Sequence, residues 1–229
     1  MIYMLLTLFL AVLAYLPQLW VRRVMNRHQH ERKDLPGTGG ELARHLIDRF
    51  ELTEIKLEQT TERGDHYDPR SKTVRLSPSN FEGRSITAVA VAAHEVGHAL
   101  QFERKENISR LRSRYLPLAL MLKKAGIFIM LALPIIAVLV RIPAAMFAII
   151  ALSVVLQLLG ALAYLIILPE EWDASFHKAL PILIDGDYIS EQDQKAVATV
   201  LKAAALTYFA AALAEIVNVG RWITLLLRR

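Results

Sequence analysis

Four apolar runs punctuate a chain otherwise rich in charge, and this segregation restricts it to folds that place part of the polypeptide in a lipid bilayer. Met1 to Trp20 contains no charged residue and is long enough to cross a hydrocarbon core of about 30 Å as a helix. The basic stretch VRRVMNRHQHERK follows at once, as expected of a membrane anchor with a cytoplasmic flank. A removable signal peptide fits less well, because no charged residue precedes the run and no small-residue cleavage site follows it. Ala125 to Val140 and Ile142 to Leu168, separated by Arg141 and broken at Pro143, predict a transmembrane hairpin with Lys123 and Lys124 snorkelling at its edge. The last run, Ala203 to Leu227, contains Glu215 and Arg221. It either spans with those charges facing protein or lies partly in the interface.

Charge and cysteine content narrow the function. The chain of 229 residues has 27 Lys and Arg against 22 Asp and Glu, and 20 of the basic residues fall between Val21 and Lys124. They mix with acids and crowd the ends of apolar runs, which is positive-inside behaviour, so no nucleic-acid partner is expected. With no cysteine, any metal must be held by His, Asp or Glu.

The segment AVAVAAHEVGHALQF, Ala88 to Phe102, sets two histidines and a glutamate inside an apolar stretch. Its breaker-poor composition predicts a helix over Ile86 to Phe102, on which His94 and His98 project from one face about one turn apart. Two imidazole nitrogens are thereby offered to one metal ion. Glu95 lies about 100° round the helix, able to face a water on that metal without ligating it. Zinc lowers the pKa of bound water towards ~7, so a neighbouring carboxylate can take its proton and deliver a hydroxide-like nucleophile to a peptide carbonyl. Gly97 between the histidines leaves room for another segment to approach.

Around this helix, ELARHLIDRF has helical spacing, TEIKLEQT alternates as a strand, DHYDPRSK is turn-rich, and TVRLS predicts a second strand with Val74 and Leu76 on one side. Such a strand edge beside a zinc helix could pair with an extended peptide. After Leu168 a second polar island runs to Ala196, with Ser190 and Asp193 spaced as a capping box for a helix entering the last apolar run. A zinc ion with two histidines and a water needs one more protein ligand. Glu170, Glu171, Asp173, His177, Asp185 and Asp187 all lie in this island.

HEVGHALQ, the preceding DHYDPRSKTVRLS and the later LPEEWDAS together resemble the YugP-like membrane zinc metallopeptidases, a neutral zinc metallopeptidase family, from about Gly37 to LKAAALTYFAAAL. The resemblance implies a gluzincin similar to the HtpX-type proteases, with zinc as cofactor, one ion per chain. Its P-x-E-aromatic-x-A-S pattern places the third ligand at Glu171, flanked by Pro169, Trp172, Ala174 and Ser175. The HtpX-type pattern has an aspartate four residues after that ligand. Here Ser175 stands instead, so any support to a zinc histidine is a neutral hydrogen bond. A rival resemblance, to site-2-type intramembrane proteases, would use Asp185 of LPILIDGD. It requires the H-E-x-x-H helix to span the membrane, although Arg84, Glu103, Arg104 and Lys105 bound it too closely. His66, Tyr67 and Tyr208 are candidates for stabilising an oxyanion, against the plainer readings of a loop histidine and interfacial tyrosines. His28, His30 and His45 are expected to be solvated, and His177 lies off the face of Glu171.

The resulting expectation is a mainly α, multi-pass cell-membrane protein: three to four transmembrane helices with a small α+β zincin-like cytoplasmic domain. Residues 1–20 form the anchor, 21–124 the catalytic part, 125–168 the hairpin, 169–202 the segment with the third ligand, and 203–229 a membrane or interfacial helix. The expected activity is zinc-dependent endopeptidase, with His94, His98 and Glu171 on the metal and Glu95 as general base. The bilayer, a peptide or membrane-protein substrate, and an unidentified membrane-protein partner or second copy of the chain are the expected associates. A non-catalytic zinc-stabilised scaffold is the alternative, but a purely structural site has no use for Glu95.

Overall fold

The computed structural model describes the backbone of residues 2–140 and 142–226, and side chains over 9–217 apart from 10, 11, 13, 14 and 141. In chain order the elements are α1 (Ile2–Arg27), α2 (Gly39–Arg49), β1 (Lys56–Gln59), β2 (His66–Asp68), β3 (Thr73–Leu76), α3 (Pro78–Phe81), α4 (Ile86–Glu103), α5 (Arg110–Leu139), α6 (Pro143–Trp172), α7 (Leu180–Asp185), α8 (Glu191–Ala205) and α9 (Thr207–Leu226). Among the described residues the protein is mainly helical, with one small sheet. It divides into two units: one of Trp20–Arg110 with Leu168–Thr207, the other of Met1–Leu19, Leu111–Ile167 and Tyr208–Arg229.

The first unit is built around α4. Ser85 caps this helix by accepting the Ala88 N–H at 3.1 Å. Every residue from Ile86 to Gln101 is buried, so the helix is enclosed by protein on all sides. α2 packs against it. That helix starts in a capping box, with Glu41 N–H donating to Thr38 Oγ1 and Thr38 N–H donating to Glu41 Oε2. Its first residue must be glycine: a β-carbon at Gly39 would stand 2.3 Å from Asn80 O and 2.7 Å from Ala88 O. α8 covers another side, placing Val197, Val200 and Leu201 in the core with Leu46, Val96 and Leu183. Arg32 fastens the chain after α1 to the start of α8 by donating to both oxygens of Asp193, at 3.0 and 3.1 Å.

The sheet has the order β1-β3-β2, with β1 parallel and β2 antiparallel to β3. Val74 and Leu76 are both buried, on the alternation expected of TVRLS. β2 lies in the segment expected to be only turn. The turn begins at its end instead, where Asp68 accepts from Arg70 N–H and Ser71 Oγ–H, and β2 is too short to show an alternation. Ser190 precedes α8 but does not close a capping box. Its hydroxyl donates to Asp193 Oδ2, which Arg32 also engages, at 2.7 Å.

In the second unit α5 and α6 approach closely at small residues. A β-carbon at Gly126 would meet Gln157 Cγ at 2.7 Å and Ser153 O at 2.8 Å. Ser153 Oγ donates to Gly126 O at 2.8 Å, satisfying polar groups without water. Lys123 Nζ, partly exposed, lies 2.6 Å from Oε2 of the buried Glu215 on α9. Glu215 therefore faces protein, while the side chain of Arg221 lies outside the described residues, as do Arg141, Arg228 and Arg229. Among the described residues, Asn107–Leu139 and Pro143–Asp185 contain helices long and apolar enough to cross a membrane. α8 with the start of α9 makes a third if the two are counted as one span.

Candidate metal centre

α4 turns His94 and His98 to one side because four residues slightly exceed one helical turn. Their ring centroids are 4.7 Å apart with the planes at 80°. Glu171, next to last in α6, comes to the same point. Its Oε2 lies 3.3 Å from Nε2 of His94 and 3.3 Å from Nε2 of His98. One donor atom from each of the three residues falls within 4.8 Å of the others, a group able to hold a metal ion.

The three, together with Glu95, are almost fully buried at 4, 2, 2 and 5% exposure for His94, His98, Glu171 and Glu95. Two imidazoles and a carboxylate are costly to bury with their lone pairs converging, and a cation at their centre removes that cost. The donor set of two nitrogens and one carboxylate oxygen is that of a catalytic zinc site with an open position. Glu95 adds a further sign: its Oε2 is buried and has no hydrogen-bond partner among the described residues. The residues present therefore fit zinc.

Glu171 is carried into place by an unusual backbone. Directly after α6 the chain widens into a π-helical turn over Asp173–Ala179, where the Leu180 N–H reaches the carbonyl of Ser175, five residues back. The turn leans on Gly97: a β-carbon there would stand 2.8 Å from Ala174 O and 3.3 Å from Lys178 Cβ. Gly97 thus leaves room for another segment, as its place in the sequence suggested. The turn also delivers Ser175. Its hydroxyl donates its single proton to Leu201 O at 3.1 Å, so at 3.0 Å from His94 Nδ1 it accepts the imidazole N–H. Nε2, at the far side of the His94 ring, faces Glu171.

The remaining candidates lie elsewhere. Glu170 is buried with Oε1 3.9 Å from His98 Nδ1, on the side away from Nε2. Asp173 accepts from Gln101 and pairs with Lys178, and His177 is largely exposed with Nδ1 3.0 Å from Asp173. Asp185 ends α7 exposed to solvent, and Asp187 is exposed in the turn that follows. Neither belongs to the metal-binding group. His66 donates from Nδ1 to Gly64 O at 2.6 Å, and Tyr67 buries its ring against Phe102. Tyr208 is part of the other unit, stacked on Tyr164. Sequence reasoning passed over Gln101, whose Oε1 is 3.0 Å from His98 Nδ1. The signal was present: an amide one turn beyond a candidate ligand, in an otherwise apolar run.

The model of a protein family described as "Putative neutral zinc metallopeptidase" matches residues 3–227. The chain is 32% identical over 230 residues to the "Putative membrane protease YugP" of Bacillus subtilis (strain 168), an alignment covering 99% of this chain and 97% of that protein. No solved structure matches the chain.

Proposed function

The chain belongs to this neutral zinc metallopeptidase family, and from that premise we propose that it is a membrane-embedded zinc endopeptidase with its site on the cytoplasmic side. The observation that carries the reading is the convergence of His94 Nε2, His98 Nε2 and Glu171 Oε2, with Glu95 buried beside them and one oxygen unpartnered. His94, His98 and Glu171 hold one zinc per chain. When bound, zinc supplies a Lewis acid that makes water acidic near neutral pH and polarises a carbonyl. Glu95 accepts the proton of the attacking water at Oε2 and returns it to the leaving amine nitrogen. Ser175 holds the His94 ring with its N–H turned outward, and the enclosure of α4 excludes bulk water from the proton transfer. The exposed position of Asp185, outside the donor group, favours Glu171 over the site-2-type arrangement.

The proposed substrate is a peptide segment of a membrane or membrane-associated protein, because the chain places apolar helices and the candidate centre in one polypeptide. The test uses the full chain purified in detergent. Zinc content is measured per chain, and hydrolysis of a mixed peptide library and of casein is followed by mass spectrometry. Cleavage that stops with 1,10-phenanthroline and returns on adding zinc is the expected result. Stoichiometric zinc with no cleavage of any substrate would favour a zinc-stabilised scaffold instead.

A further inference from the structure

Gln101 lies one turn beyond His98 on α4 and is fully buried. A buried primary amide is costly unless its oxygen and both N–H groups find partners. Here they do. Nε2 donates to Glu170 O at 3.0 Å and to Asp173 Oδ2 at 2.8 Å. A carbonyl and an ionised carboxylate can only accept, so the NH2 end of the amide must face them and Oε1 must face His98. At 3.0 Å, Oε1 then accepts the N–H of His98 Nδ1. The other ring nitrogen, Nε2, faces Glu171 Oε2 at 3.3 Å.

The two acceptors of the NH2 group bracket Glu171 in the chain, Glu170 immediately before it and Asp173 two residues after. One side chain thus grips a histidine of the H-E-x-x-H helix with one end and both flanks of the glutamate segment with the other. We propose that Gln101 is a positioning residue that couples the two halves of the metal centre, holding the His98 ring by its Nδ1–H and fixing the placement of Glu171 at the same time. This rests on the zinc reading for its consequence in metal binding, but the hydrogen-bond pattern it asserts belongs to the protein alone.

The far side of the coupling is itself braced. Asp173 opens the π-helical turn and also meets Lys178 Nζ at 3.2 Å, and Lys178 pairs with Glu106 at 3.1 Å. Glu106 follows closely on α4, so the turn is tied to that helix at a second point. Gln101 is therefore not a space-filling side chain in an apolar wall. A residue of that kind could be exchanged for leucine, of similar volume, with little effect on the metal or on the histidine proton.

The experiment compares the wild type with Gln101→Leu and Gln101→Glu, as full chains in detergent. Zinc-free protein with 15N-labelled histidine is studied by NMR, which reports separately whether Nδ1 and Nε2 of each ring carry a proton. Zinc dissociation constants come from chelator competition, and the melting of zinc-free protein reports folding. In the wild type the His98 proton is expected on Nδ1. Gln101→Leu is expected to leave Nδ1 partly deprotonated and to weaken zinc binding about 10- to 100-fold, the scale for losing a hydrogen bond to a metal-ligating histidine. Gln101→Glu keeps an acceptor for His98 but sets a carboxylate against Asp173, so it should preserve the Nδ1 proton while still weakening zinc. A wild-type His98 with no proton on Nδ1 overturns the proposal, whatever the variants do. So does a folded Gln101→Leu protein with unchanged proton position and zinc affinity. If Gln101→Leu does not fold, Gln101→Glu decides: loss of the Nδ1 proton or unaltered zinc affinity in that variant overturns the coupling. If the wild type binds no zinc, the zinc reading fails, and the His98 proton position still judges the hydrogen-bond assignment.

Discussion

The carbonyl oxygen of Ala174 stands 2.8 Å from where a β-carbon on Gly97 would be. This contact sets the distance between the helix bearing the two histidines and the turn that follows Glu171. Gly97→Ala forces the turn outward or strains it, at a cost of about 1–3 kcal/mol typical of overpacking. The expected outcome is a lower melting temperature and weaker zinc binding, with helix content by circular dichroism unchanged. Wild-type zinc affinity would show that the turn can yield without moving Glu171.

Glu95 is expected to act on protons and not on the metal. Glu95→Gln should keep zinc at wild-type stoichiometry while peptide hydrolysis falls by about 10² or more. Metal content and turnover are measured on one purified sample. Loss of zinc would reassign Glu95 as a ligand.

Glu171 and Asp185 are separable by one pair of substitutions. Glu171→Ala should lose zinc and hydrolysis together, because a carboxylate must approach zinc to about 2.0–2.2 Å and nothing replaces it. Asp185→Ala, at an exposed helix end, should keep both. The reverse pattern would move the catalytic centre to the arrangement of site-2-type proteases.

Lys123 and Glu215 form an ion pair in which the carboxylate is 3% and the amine 36% exposed. Lys123→Met leaves Glu215 buried beside no cation. Breaking a fully buried pair costs about 3–5 kcal/mol, and the partial exposure of Lys123 reduces this to about 1–3. Addition of Glu215→Leu should restore much of the loss, and a double-mutant cycle on thermal or denaturant unfolding reads the coupling.

Sidedness follows from charge. With 20 of the 27 Lys and Arg between Val21 and Lys124, this segment is expected on the cytoplasmic side, and the segment after Leu168 with it. Cysteines placed singly at Ser79 and Ser190 of this cysteine-free chain should resist an impermeant thiol reagent in intact cells and react after lysis. Labelling from opposite faces would rule out a shared catalytic site.

By itself the sequence determined what depends on near neighbours. Apolar runs declare helices of spanning length. The i, i+4 spacing of His94 and His98 declares a two-nitrogen site, because both follow from the rise and turn of one helix. The same is true of α2, read from the helical spacing of Leu42, Leu46 and Ile47. Resemblance to a family, and not spacing, singled out Glu171 from the acidic residues after Leu168. Tertiary structure decided the rest. It brought Glu171 Oε2 to His98 across 73 residues of sequence, a closure that no local periodicity encodes. It widened the following turn to a five-residue hydrogen bond, so that a helical wheel at 3.6 residues per turn misplaces the side chains there. It matched Lys123 to Glu215, a pairing no hydropathy pattern shows, since burying a carboxylate requires a partner wherever the fold can supply one. It also gave Gln101 three partners at once. An amide's hydrogen bonds are set by what packing brings within 3 Å, and that is fixed only when distant segments meet.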